Sequence, residues 1–228
     1  MNDTLLTALA LIPALVFAIV FHEVAHGFVA KLLGDPTASE QRRLSLNPLR
    51  HVDPIGTVVL PGMLALTGAP VFGWAKPVPV NKWRLRNPRF GMMAVAAAGP
   101  GSNLVLAAIG AVILGLIART VTAPPEAALS FGLASLQFFI LVNIFLALFN
   151  LLPIPPFDGS HIVEGLLPRA AAEQYNRLRP FGFLLLIVLL LVVPLLFPQL
   201  GSVQRVVLPP VEWLSGLYMQ LAGAVAGR

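Results

Sequence analysis

Residues 5–33, LLTALALIPALVFAIVFHEVAHGFVAKLL, decide the reading of this chain. The run exceeds the roughly 20 apolar residues that span a hydrocarbon core, yet it carries His22, Glu23 and His26 toward its C-terminal end. Ionisable side chains in lipid cost a few kcal/mol each unless they pair or bind something. On a helix His22 and His26 stand at i and i+4, on one face and about 5–6 Å apart, with Glu23 about 100° around the axis from His22. No positive charge precedes Lys31, so the run lacks the basic start and the small-residue cleavage site of a secretory leader and is expected to be retained as a helix. Gly34-Asp35-Pro36 ends it, a C-cap glycine followed by a residue that cannot continue the helix.

The rest of the 228 residues agrees with a lipid solvent. Hydrophobic residues make up 57% and charged ones 11%, against the roughly half-apolar, quarter-charged composition of soluble domains. The length allows about one domain. With no cysteine there is no disulfide framework, thiolate ligand or cysteine nucleophile, so any metal must be held by histidine and carboxylate. The net charge of +5 sits beside apolar segments and not on a separate polar domain, which argues for membrane orientation and against a nucleic-acid partner. No feature sets an oligomeric state.

Lys31, Arg42, Arg43, Arg50, Lys76, Lys82, Arg84, Arg86 and Arg89 cluster between the first span and the next, against Asp35, Glu40 and Asp53, which predicts that this region faces the cytoplasm. Inside it, residues 55–69 are apolar but broken by Pro61, Gly62 and Gly68, and are expected to be re-entrant or membrane-embedded. Residues 71–80, VFGWAKPVPV, alternate Pro77 and Pro79 with Val78 and Val80, a pattern that suits a β-hairpin edge or a loop and opposes a helix. Spans are predicted at 92–117, 131–152 and 181–197, the last carrying Pro194, and residues 206–226 form either a last span or an interfacial helix. The expected fold is an all-α polytopic membrane protein with about five to six embedded helices and a small membrane-associated β-hairpin or loop.

H-E-x-x-H on a helix brings two imidazoles to one zinc and leaves the glutamate to act on water as general base. A catalytic zinc normally has three protein ligands and an open position. Candidates for the third are His51, His161 and the carboxylates. Asp158, in 150-NLLPIPPFDGSH-161, is favoured because two spans out and back return it to the level of His22 and His26; His161 is its rival. Pro153, Pro155 and Pro156 stop the preceding helix, and Gly159 is expected to supply an unusual dihedral that aims the carboxylate.

HEVAH, FGWAKPVPVN, AAAGPGSN and NLLPIPPFDGSHI occur in that order, and together they resemble the site-2 protease family of intramembrane zinc metalloproteases. The resemblance covers about residues 21–165 and looks like the minimal form of that family, without a PDZ or CBS domain. It implies that His22, His26 and Asp158 bind one zinc, that Glu23 activates water, that Asn150 helps hold the substrate or its oxyanion, and that Asn103 supports the site. It further implies a single transmembrane metalloprotease domain over 1–228, with a core over 5–168 and C-terminal helices over 181–226. The implied reaction is hydrolysis of peptide bonds in or near transmembrane segments, close to the cytosolic face, in single-span substrates of a bacterial or archaeal cell membrane. A metal or solute transporter is the rival class, but it leaves the glutamate between the histidines unexplained. A catalytically silent scaffold is the second rival, and retention of every expected catalytic residue opposes it.

Overall fold

The computed structural model describes residues 3–67, 73–121, 126–197 and 202–227. The first helix, α1 (Asp3–Leu32), ends as Gly34 predicts. Gly34 has φ 109°, its N–H donates to Lys31 O at 3.2 Å, and the Asp35 N–H donates to Ala30 O at 2.9 Å. These paired bonds satisfy the last carbonyls of the helix, and only glycine takes that φ without strain. A short α2 (Thr37–Glu40) follows, then a π-helical turn over Pro54–Val59 running into α3 (Leu60–Thr67). Asp53 caps that turn by accepting from the N–H groups of Ile55 and Gly56. The next two helices are long: α4 (Pro88–Thr120), capped by the Asn87 side chain, and α5 (Ala127–Asn150). After them come α6 (Asp158–Leu166), α7 (Arg169–Asn176), α8 (Gly182–Ile187), α9 (Val193–Leu196) and α10 (Ser202–Ala226).

Helix α4 is the hub, packing on α1, α5, α6 and α10. Lipid tails are as apolar as leucine, so helices in a bilayer gain little from burying apolar surface and associate through close packing of small residues. A Cβ on Gly110 would lie 2.9 Å from Ile140 of α5, and one on Gly115 would lie 2.4 Å from the Ala222 carbonyl of α10. Ala107, Ala111, Leu114, Ile140, Ile144, Val207, Val211 and Ala222 close the core between these three helices. The outer surface is apolar too, with Leu5, Ile12, Phe17, Phe28, Val105 and Ile109 among many large side chains turned outward. Soluble monomers seldom expose apolar area on that scale.

Among the described residues three helices, α1, α4 and α5, are long and apolar enough to cross a membrane, and shorter apolar helices accompany them. The chain is thus an all-α polytopic membrane fold, as expected. Two details differ from the sequence reading. The span expected at 181–197 is a broken helix, α8 and α9 joined by a π-helical turn over Val188–Val192. Pro194 has no N–H to give the carbonyl four residues before it, so the regular bonding of that segment is interrupted. No strand occurs among the described residues, so of the two alternatives for 71–80 the β-hairpin is wrong and the loop is right, residues 71 and 72 lying outside the described part. The main-chain N–H groups of Trp74, Lys76 and Val78 donate to Gly56 O, His51 O and the Glu23 carboxylate, three separate partners in place of one ladder. The apolar run from residue 55 is helical through Thr67, with 68 and 69 outside the described residues. The C-terminal segment is one helix, α10, lying along α4 and α5.

Candidate metal centre

His22 and His26 sit one turn apart on α1, their rings edge to face with centroids 4.6 Å apart. Asp158 opens α6, which folds back over the end of α5. A Cβ on Gly159 would fall 2.3 Å from the Leu151 carbonyl and 2.4 Å from that of Leu152, so glycine is required there for close approach. Gly159 lies within α6 and is absent from the positive-φ glycines, which corrects the expectation of an unusual dihedral.

The site is built against one face of α4. Val95, Gly99 and Asn103 are spaced four apart, and each meets an imidazole. His26 Nδ1 lies 2.7 Å from Val95 O. A carbonyl only accepts, so this nitrogen carries the proton. His22 Nδ1 lies 2.6 Å from Asn103 Oδ1. The Asn103 amide nitrogen is already committed to Ala18 O at 3.1 Å and Asn143 Oδ1 at 2.8 Å, so its oxygen faces His22 and accepts. Between Val95 and Asn103, Gly99 gives the rings their room, since a Cβ there would lie 2.4 Å from His26 Nε2 and 2.7 Å from His22 Cε1.

With both Nδ1 atoms used as donors, both Nε2 atoms carry lone pairs, and they converge on Asp158 Oδ2 at 3.1 Å from His22 and 3.3 Å from His26. Acceptor then faces acceptor twice, in a site where the three side chains are only 7%, 12% and 19% exposed. Such an arrangement calls for a cation. A tetrahedral ion with bonds of about 2.0–2.2 Å needs ligand atoms about 3.3–3.6 Å apart. The three atoms lie within 4.8 Å of one another, and the two measured edges sit close to that range, so the donor set fits zinc.

Glu23 points to the loop from the same turn of α1, its Oε2 accepting the Val78 N–H at 2.8 Å. His161, the rival ligand, is not in the group; its Nδ1 is 2.8 Å from Arg179, and Glu164 binds the same guanidinium. His51 is buried, with Nε2 2.7 Å from Ser45 O in the loop. Asn150 turns its amide nitrogen back to Leu146 O at 2.9 Å. Two participants were not visible in the sequence reading: Gly99 and the main chain of Val78. The four-residue spacing of Val95, Gly99 and Asn103 was the available signal for the first.

The family model for Peptidase family M50 matches residues 10–193. A Bacillus subtilis (strain 168) protein named Putative zinc metalloprotease YwhC is 41% identical over 213 residues, covering 89% of this chain and 92% of the relative. Proteins named Putative zinc metalloprotease Rip2 are 33% identical in Mycolicibacterium smegmatis and 34% in Mycobacterium tuberculosis (strain H37Rv). Each of those matches covers 75% of this chain and 62% of the relative's length. No solved structure matches the chain. The ordered motifs, the membrane-length helices and this match over most of the sequence give one conclusion: the chain belongs to peptidase family M50, the site-2 protease family, and is an integral membrane zinc metallopeptidase.

Proposed function

We propose that the chain hydrolyses peptide bonds in or near transmembrane segments of single-span membrane proteins, at one zinc held by His22, His26 and Asp158 close to the cytosolic face. The observation that carries this reading is the convergence of two Nε2 lone pairs and a carboxylate oxygen in a largely buried pocket, each ring fixed by a bond to its other nitrogen. Zinc bound there would polarise the scissile carbonyl and make a water acidic enough to be deprotonated near neutral pH.

The residues of the chain supply the rest. Glu23 takes the proton from the attacking water and later delivers it to the leaving nitrogen. The Val78 N–H holds one of its oxygens and leaves Oε1 for that water. Asn150, at the C-terminal end of α5, orients the scissile segment or its oxyanion once its amide leaves Leu146 O. Water reaches the centre from the cytosolic side, where the basic residues between Lys31 and Arg89 place α2 and the 73–81 loop.

A transmembrane substrate hides its carbonyls in intrahelical bonds, so it must unwind before attack. Pairing of the unwound stretch along residues 73–80 would be short, because Pro77 and Pro79 lack N–H groups and those of Trp74, Lys76 and Val78 are taken. Only Gly73, Ala75 and Val80 remain as main-chain donors. The test is to reconstitute the protein in liposomes with single-span substrates and map the cut by mass spectrometry. A cut within the cytosolic third of the substrate span supports the reading. A cut confined to soluble segments, or at the opposite membrane face, contradicts it.

A further inference from the structure

We propose that Asn143 is a positioning residue for His22, acting through Asn103 along a one-way chain of hydrogen bonds anchored on a main-chain carbonyl. The proposal rests on the reading of His22 as a metal ligand.

The chain begins at Phe139 O, on α5. A carbonyl only accepts, so the Asn143 side chain presents its amide nitrogen there, at 2.8 Å. That turns Asn143 Oδ1 toward α4, where it accepts from Asn103 Nδ2 at 2.8 Å. The same Asn103 nitrogen is held by Ala18 O of α1 at 3.1 Å. Asn103 Oδ1 is then the atom left for His22 Nδ1, 2.6 Å away, and the imidazole must donate. The lone pair of His22 therefore stands on Nε2, facing Asp158. Direction is fixed at every link, and reversing any amide would set donor against donor or acceptor against acceptor.

Burial makes this direction binding. Asn103 and Asn143 are both fully buried, so no solvent can stand in for a lost partner, and an unpaired polar group in a low-dielectric interior is costly. The two asparagines are also the only uncharged amides among the fully buried large side chains of the described residues. Three helices contribute to the chain, so its integrity also depends on α5 being seated against α4 and α1. A packing role alone would be met equally well by an apolar residue, because replacing polar partners by apolar ones of the same shape is often neutral. What the asparagine adds is polarity in one sense. His26 obtains the same result directly from Val95 O; His22 faces a stretch of α4 where a side chain supplies the acceptor instead.

The test compares Asn143→Thr with Asn143→Val in the purified full chain. The two replacements have nearly the same shape. Threonine in a helix donates its hydroxyl to the carbonyl four residues back, here Phe139 O, and keeps a lone pair toward Asn103; valine does neither. Zinc affinity is read by chelator competition. The position of the His22 ring proton is read by nitrogen NMR of histidine-labelled, zinc-free protein, with His22 assigned by the signal lost in His22→Gln. The expected result is about tenfold weaker zinc binding for Asn143→Val, the low end for outer partners of metal ligands, with the His22 proton no longer confined to Nδ1. Asn143→Thr stays within about threefold of wild type, with that proton on Nδ1. Equal behaviour of the two variants in both readouts, whether both intact or both impaired, overturns the proposal. Wild-type protein that takes up no zinc would refute the metal reading instead, while the proton position, which needs no metal, still decides the relay.

Discussion

Replacing Gly99 by alanine puts a methyl group where the rings of His22 and His26 already are. The new carbon would lie 2.4 Å from His26 Nε2, 2.5 Å from His26 Cε1 and 2.7 Å from His22 Cε1. Non-bonded heavy atoms rest at about 3.5 Å, so the His26 ring must retreat by about 1 Å. Metal sites tolerate about 0.2 Å of ligand displacement, and the shift is several times that. Neither ring can swing aside cheaply, since His26 is tied to Val95 O on the same helix as the intruder and His22 to Asn103. Zinc affinity of Gly99→Ala should fall at least about 100-fold, or about 2.8 kcal/mol. Gly101→Ala is the control on the same helix, because its Cβ meets nothing within 4 Å. The assay is metal content by mass spectrometry after dialysis against a graded chelator, with a thermal melt of each protein. Gly99→Ala holding zinc within about threefold of wild type, at an unchanged melting temperature, would refute the argument that this glycine makes room for the ligands.

Asp35 is fully buried behind α1 and accepts from the N–H groups of Asn81 and Thr37 and from the Thr37 hydroxyl, with Arg84 nearby. Asp35→Ala strands those donors and should cost about 2–4 kcal/mol, seen as a lower melting temperature and faster proteolysis between residues 73 and 87; an unchanged melt would count against this hub. Burial by itself would raise the Asp35 carboxyl, but its three donors and Arg84 hold it below its ordinary value of 3.8. Its stabilisation is therefore complete above about pH 4 and fades as pH falls further, a loss that Asp35→Ala should not show. Burial and the Arg179 guanidinium push His161 from 6.5 down to about 4. It is neutral in the folded protein, so its contribution is complete above about pH 6.5 and is lost as pH falls toward 4. His161→Gln should flatten the melting temperature over that window, and an identical pH profile would contradict the assignment.

The grouping of His22, His26 and Asp158 was legible because two histidines four apart inside a span have few other physical explanations and the count of crossings returned Asp158 to their level. The end of α1 was legible in Gly34, whose φ of 109° is a backbone demand that composition announces. The surroundings of His22, His26 and Asp158 were not. Gly99 reads in sequence as one small residue among several, and its necessity appears only when His22 and His26 from another helix are laid on it. Asn143 lies 40 residues from Asn103 and has no motif around it; what matters is the direction of a hydrogen bond that depends on Phe139 O. The Glu23 contact with Val78 crosses 55 residues and uses a main-chain N–H, which every residue but proline has, so no side-chain pattern marks it. For residues 71–80 the alternation left a β-hairpin edge or a loop open; strand character needs a neighbouring ladder, and the partners available to 74, 76 and 78 are scattered over Gly56, His51 and Glu23.

The central claim is that His22, His26 and Asp158 hold the zinc while Glu23 only moves the proton. It is tested most directly by measuring zinc content and cleavage of single-span substrates for the wild type, Glu23→Gln and Asp158→Ala, purified and returned to liposomes. The account predicts about one zinc and cleavage in the wild type, a full complement of zinc with no cleavage in Glu23→Gln, and loss of both in Asp158→Ala. Cleavage by Glu23→Gln at the wild-type rate, or zinc retained undiminished by Asp158→Ala, would contradict it.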